Sequence, residues 1–142
     1  METRIVDRPF SDFREGETAS LTREVTSQDI ETFCRLSGDC NPLHVDPDYS
    51  RSSGFRGVLA HGLLVAAPVS QLAGHLLPGR RCLLLVVEAE FVAPVYIGDR
   101  LTYKAVIVKL SPGLRTMKVE WRATNQQNEL VLRGRYRAQV GE

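Results

Sequence analysis

Cysteine is scarce: Cys34, Cys40 and Cys82 are an odd number, too few for a disulfide framework, and no CxxC or paired Cys/His spacing offers zinc a site. The expectation is reduced thiols in a cytoplasm. The spacing of His44, Asp46 and His61 matches no standard metal site, so no metal and no cofactor is expected. Excess charge is also missing, because 18 Lys and Arg stand against 17 Asp and Glu, leaving +1. No bulk field draws in nucleic acid or an anionic membrane, and no basic, aromatic cluster supports nucleic-acid binding. Long apolar runs are lacking as well. The longest stretch without a charge, 57–79, is broken by His61, Pro68, Ser70, Gln71 and His75, which argues against a membrane span. Met1 to Phe10 mixes Glu2 and Asp7 with arginines and does not read as a signal or transit peptide. Internal repeats, low-complexity segments and interdomain linkers are absent. With 43% hydrophobic and 25% charged residues in 142, the chain has the composition of one ordinary soluble domain.

Along the chain, residues 1–16 are polar and irregular, with Pro9 and the turn-like Arg14-Glu15-Gly16. Thr18 to Thr26 alternates apolar and polar residues and reads as a strand. Thr26 or Ser27 can cap a helix with Asp29 in its first turn, and Ser37-Gly38 stops it. Ile30, Phe33, Cys34 and Leu36 fall on one side of that helix. Asp46-Pro47 starts a second, short helix. Residues 51–57 form a loop, and Leu63 to Leu77 reads as a buried helix with Leu64, Ala67, Leu72 and Leu76. Pro68 removes its hydrogen bond to Leu64 and predicts a kink. The last third turns β-rich: 82–93, 100–110, 114–124 and 130–140 are separated by Ile97-Gly98-Asp99, Ser111-Pro112-Gly113 and Asn125 to Asn128. Four such runs predict an antiparallel meander, and one strand, helices, then four strands predict an α+β domain whose sheet wraps one buried helix.

The chemistry concentrates in Leu36-Ser37-Gly38-Asp39-Cys40-Asn41-Pro42-Leu43-His44. Asp39 and His44 are five apart, a spacing that does not share a helix face. Pro42 fixes its own φ and pushes Asn41 toward extended geometry, so a rigid, non-helical loop aiming both side chains at one point is expected. Such a pair can divide the handling of one water molecule. The plain alternative is an ordinary Asx turn. His61 either contacts substrate or caps a helix start, His75 is structural, and Cys40 lacks the setting of a thiol nucleophile. Arg51, Arg56, Arg80 and Arg81 are either phosphate ligands or solvated surface.

Two motifs together, Phe33 to His44 and Phe55-Arg56-Gly57-Val58-Leu59-Ala60-His61-Gly62-Leu63-Leu64, resemble the MaoC-like, R-specific enoyl-CoA hydratases, and Phe91 to Asp99 resembles a strand-turn segment of that family. The likeness covers residues 17–140. It implies a hot-dog fold, a curved antiparallel sheet around a central helix. It implies that Asp39 and His44 are the catalytic pair and that Asn41 supports their loop. Gly62 would offer a backbone N–H to the thioester oxygen, and Ser70 would support the aspartate. The implied reaction is reversible addition of water to a trans-2-enoyl thioester carried by coenzyme A or acyl carrier protein. The rivals are a hot-dog thioesterase and a non-catalytic acyl-thioester-binding module. A single short sheet leaves edges exposed, and at least a homodimer is expected.

Overall fold

The protein is described here as a computed structural model covering residues 4–142; Met1, Glu2 and Thr3, at the start of the irregular N-terminal segment, lie outside the described residues. A 3-10 turn at Phe10–Asp12 leads to Phe13, which is buried in the core with Arg8 stacked over its ring at 4.1 Å. Then come β1 (Thr18–Glu24), α1 (Ser27–Ser37), α2 (Pro42–Val45), α3 (Pro47–Ser52), α4 (Gly62–Ala66) and α5 (Pro68–Gln71). A single π-helical turn, Leu72–Leu76, precedes β2 (Cys82–Phe91), β3 (Arg100–Ser111), β4 (Thr116–Thr124) and β5 (Leu130–Val140). Among the described residues, no helix is long and apolar enough to cross a membrane.

Capping chemistry sets both ends of α1. The Thr26 hydroxyl accepts the Asp29 N–H at 3.1 Å, and the Asp29 carboxylate accepts the Thr26 N–H at 2.9 Å, a reciprocal capping box. Gly38 ends the helix at φ 76°, a left-handed position that favours glycine. Ile30 and Cys34 face the core, but Leu36 does not: two residues beyond Cys34 it has turned to the opposite side of the helix and is 79% exposed.

The five strands form one antiparallel sheet in the order β1-β3-β4-β5-β2. β3, β4 and β5 make the expected meander, but β2 does not pair with β3; it crosses to the far edge and pairs with β5. The turn before β3 is therefore no hairpin. The Val25 N–H donates to the Asp99 carbonyl and Gly98 N–H to the Val25 carbonyl, so this turn joins the end of β1 instead. β4 shows the pleat clearly, with Met117, Val119, Trp121 and Ala123 buried and Lys118, Glu120 and Arg122 outward. The inner face closes on Val65, Val69, Leu72 and Ala73.

That central segment is three pieces. Pro68 has no N–H to offer Leu64, whose carbonyl instead accepts from Ala67 at 3.1 Å. The Tyr103 hydroxyl donates to the Val65 carbonyl at 2.5 Å, and the Tyr136 hydroxyl donates to the Leu77 carbonyl. Burial pushes both phenols well above their ordinary pKa. A curved antiparallel sheet thus wraps a central helix, the hot-dog arrangement.

Candidate active site

The end of α1, the turn into α2 and the start of α4 meet at one place. Asp39 leaves α1 through Gly38, and its N–H donates to the Ser37 hydroxyl at 3.1 Å. Its Oδ1 accepts the Asn41 N–H at 3.1 Å, which directs Oδ2 toward His44. The segment that follows is helical after all. Asn41 Oδ1 accepts the Leu43 N–H at 3.0 Å, Pro42 takes the first helical position, and α2 makes a single turn that carries His44. The extended bias that proline imposes on Asn41 suits a helix cap, so it starts this turn rather than preventing it.

His44 Nδ1 lies 2.7 Å from the Leu59 carbonyl oxygen. A carbonyl only accepts, so Nδ1 carries a proton and Nε2 is the nitrogen left to face Asp39. Nε2 stands 3.8 Å from Asp39 Oδ2, too far for a direct hydrogen bond. A water about 2.8 Å from each atom fits at the apex between them. The Asp39 side chain is 51% exposed and that of His44 14%.

Leu59 is held from two sides. Its N–H donates to the Leu43 carbonyl at 2.9 Å, and it bridges Tyr96 in the segment before β3. Ser50, fully buried on α3, donates to the same Leu43 carbonyl at 2.9 Å. Neither contact was visible in the sequence. Leu59 acts through its backbone, and Ser50 reads as one more loop serine.

His61 lies beneath the pair, 2% exposed. It does not cap α4, since its side chain makes no cap bond. Its ring stacks on His44 with centroids 3.8 Å apart and planes at 24°. Its Nε2 is 2.8 Å from the Asp39 carbonyl oxygen and 3.7 Å from the Cys34 sulfur. Burial pushes the Cys34 thiol above its ordinary pKa, with Cys40 and Asp39 adding to the effect. One ligand atom each of Asp39, His44 and His61 lies within 4.8 Å of the others. The two imidazoles are stacked, however, so their in-plane lone pairs run side by side instead of converging on one ion. Asp46 is occupied in capping α3, accepting from the Asp48 and Tyr49 N–H groups.

Gly62 opens α4, and its N–H is one of the first-turn amides that lack an intrahelical acceptor. The space its missing side chain leaves is filled. A Cβ there would meet Phe91 Cε1 at 2.8 Å, so the half-exposed Phe91 ring packs where a side chain at position 62 would begin. Exposed Leu63 and Val92, next in sequence to Gly62 and Phe91 respectively, add apolar surface.

Ser70 is not brought to Asp39. It is exposed beyond the Pro68 break, facing a cleft of about 690 Å³ between the central helix and β1 that Arg23, Gln71, His75 and Tyr103 also line. Among the described residues, no hydrogen bond joins Ser70 to Asp39, whose Oδ1 is taken by the Asn41 N–H. The four arginines do not form one cluster either. Arg51 lies 3.4 Å from Asp48, and Arg56 stacks on Tyr96 at 4.1 Å and lies 3.6 Å from buried Asp99. Arg81 pairs with Asp7 at 2.8 Å, and exposed Arg80 holds Val6 through its N–H.

The MaoC like domain family matches residues 13–129. An (R)-specific enoyl-CoA hydratase of Rhodospirillum rubrum is 39% identical over 103 residues, 72% of this chain and 72% of that protein. A mitochondrial 3-hydroxyacyl-[acyl-carrier-protein] dehydratase of Arabidopsis thaliana is 31% identical over 119 residues, 82% of this chain and 70% of the other. Among solved structures, the (R)-hydratase from Aeromonas caviae involved in PHA biosynthesis superposes with a TM-score of 0.88 at 28% identity, covering 92% of this chain and 98% of that one.

Proposed function

The chain belongs to the MaoC-like family, and from that premise we propose that it is an enoyl-thioester hydratase, a hydro-lyase acting reversibly on trans-2-enoyl and 3-hydroxyacyl thioesters. The observation that carries the proposal is the 3.8 Å gap between Asp39 Oδ2 and His44 Nε2, with the far nitrogen of the imidazole fixed on the Leu59 carbonyl. In hydration, the oxygen of a water held in that gap bonds to C3 of the enoyl chain. One member of the pair takes the proton the water gives up, and the other delivers a proton to C2. In dehydration the roles reverse, so the pair works with a single proton between its two members. Negative charge gathers on the thioester oxygen as C3 is attacked. The Gly62 N–H, with no acceptor inside α4, is placed to stabilise it. Asn41 supports the pair through the cap that holds α2, and His61 supports it from below.

The substrate is an acyl-CoA thioester, and a carrier-protein thioester fits the same chemistry. Arg80, exposed and not engaged by Asp7 as Arg81 is, is the strongest of the four arginines for the carrier's phosphates. The working form is a homodimer joined through β2. This edge strand exposes Leu83, Leu84, Leu85, Val86 and Val87, a row that a second copy would cover. Free Cys34, Cys40 and Cys82 suit a reducing cytoplasm.

Incubation with crotonyl-CoA tests the reading. Loss of enoyl absorbance without release of free thiol is the expected result. Free thiol would make the protein a thioesterase, and binding without turnover would make it an acyl-thioester-binding module. Asp39→Asn and His44→Ala should each lower kcat by roughly 10²- to 10⁴-fold with the fold intact by circular dichroism. Near-normal turnover in either variant would remove that residue from the mechanism.

A further inference from the structure

We propose that His61 is a positioning residue of the Asp39–His44 pair, acting through one N–H that holds the Asp39 main chain. The proposal rests on the hydratase reading above. Because the Asp39 carbonyl can only accept, the hydrogen between it and His61 belongs to His61 Nε2. That leaves Nδ1 as the acceptor, and Nδ1 is buried with no hydrogen-bond partner among the described residues. An imidazole used only to fill space would be replaced to advantage by a phenyl ring, which strands no polar atom. The unsatisfied nitrogen is thus the cost of keeping a donor at Nε2.

The donor acts at a sensitive point. Asp39 sits directly after Gly38, whose left-handed conformation turns the chain out of α1. Its side chain is steadied at Oδ1 by the Asn41 N–H, and its main chain by the Ser37 hydroxyl and by His61. Rotation of the Asp39 peptide would swing Oδ2 away from His44 Nε2. The same ring packs against His44 on one side and lies 4.8 Å from the Phe33 ring, so it cannot follow such a rotation. His61 also precedes Gly62, which ties the acid-base pair to the amide end of α4 by a single peptide bond.

The test is steady-state kinetics on crotonyl-CoA for wild type, H61A, H61Q and H61F, with thermal unfolding of each. Glutamine carries an N–H near the place of Nε2 without the ring; phenylalanine keeps the ring without the donor. H61A should lose roughly 10- to 100-fold in kcat with KM changed by less than about threefold, as expected when reacting groups are misplaced. H61Q should recover at least about fivefold of that loss, and H61F should stay near H61A. H61A within about twofold of wild type, or H61F recovering as much as H61Q, overturns the proposal, the latter by reducing His61 to packing. Should H61A fail to fold, the Gln–Phe comparison decides alone. A wild type that does not hydrate crotonyl-CoA overturns the hydratase reading and this inference with it; an active wild type with a flat His61 series overturns this inference only.

Discussion

A Cβ added at Gly62 would stand only 2.8 Å from the nearest Phe91 ring carbon, closer than any side chain could sit unless the ring moved. The obstacle is the edge of a half-exposed ring, which can turn aside. Gly62→Ala is therefore expected to cost only about 1 kcal/mol in urea unfolding, the lower end for overpacking. In the background of Phe91→Ala the same substitution should cost much less, a coupling that a double-mutant cycle reads directly. At this scale the meeting of Asp39 and His44 was legible in the sequence because carboxylate and imidazole chemistry is written in side chains. The anchor of His44 was not, because the Leu59 carbonyl would be there whatever residue occupied position 59. The filled niche over Gly62 escaped for a related reason: a glycine says that something comes close, but not what. Ser70, assigned to the aspartate by resemblance alone, lines a separate cleft beyond the break at Pro68.

Among the elements, α1 was the most legible, since both of its ends are fixed by neighbouring residues. Replacing Thr26 by Ala should remove the reciprocal cap and lower stability by about 1 kcal/mol, while Thr26→Ser should cost less than half of that in the same denaturant titration. Strand lengths were legible as well, but strand order was not. Turn residues mark where a strand ends; they do not say which neighbour it pairs with. The crossing of β2 to the far edge depends on bonds between the turn at 97–99 and Val25, more than 70 positions away. Gly134 on β5 belongs to the same problem. It lies opposite Ala89 of β2 and Trp121 of β4, and a Cβ there would overlap the Glu88 carbonyl oxygen and come within 2.7 Å of the Trp121 ring. Gly134→Ala should destabilise by about 3 kcal/mol in equilibrium unfolding, because backbone cannot yield as the Phe91 ring can.

For the molecule as a whole, the exposed apolar row on β2 predicts self-association. Val86→Glu should shift sedimentation from dimer to monomer and lower turnover with it. Acid stability has a separate origin. Partial burial would raise the Glu17 pKa, but hydrogen bonds from the Arg8 guanidinium at 2.7 Å and the Arg14 N–H, with the charges of both arginines, hold it below its ordinary value of 4.5. A carboxyl with a lowered folded-state pKa stabilises the protein above its unfolded-state value, and that contribution disappears as pH falls through the lowered one. Glu17→Gln should therefore melt below wild type at neutral pH, with the difference closing as the pH drops from 4.5 downward.

The imidazole of His44 takes its aim from a main-chain oxygen, and that oxygen is set by a bridge to Tyr96 and by the next N–H, Ala60, donating to the Val95 carbonyl. Side chains at 59 can drift among relatives without disturbing the reacting centre. A change that re-routes the backbone around 93–99, by contrast, would turn the His44 ring relative to Asp39 while both side chains stay the same.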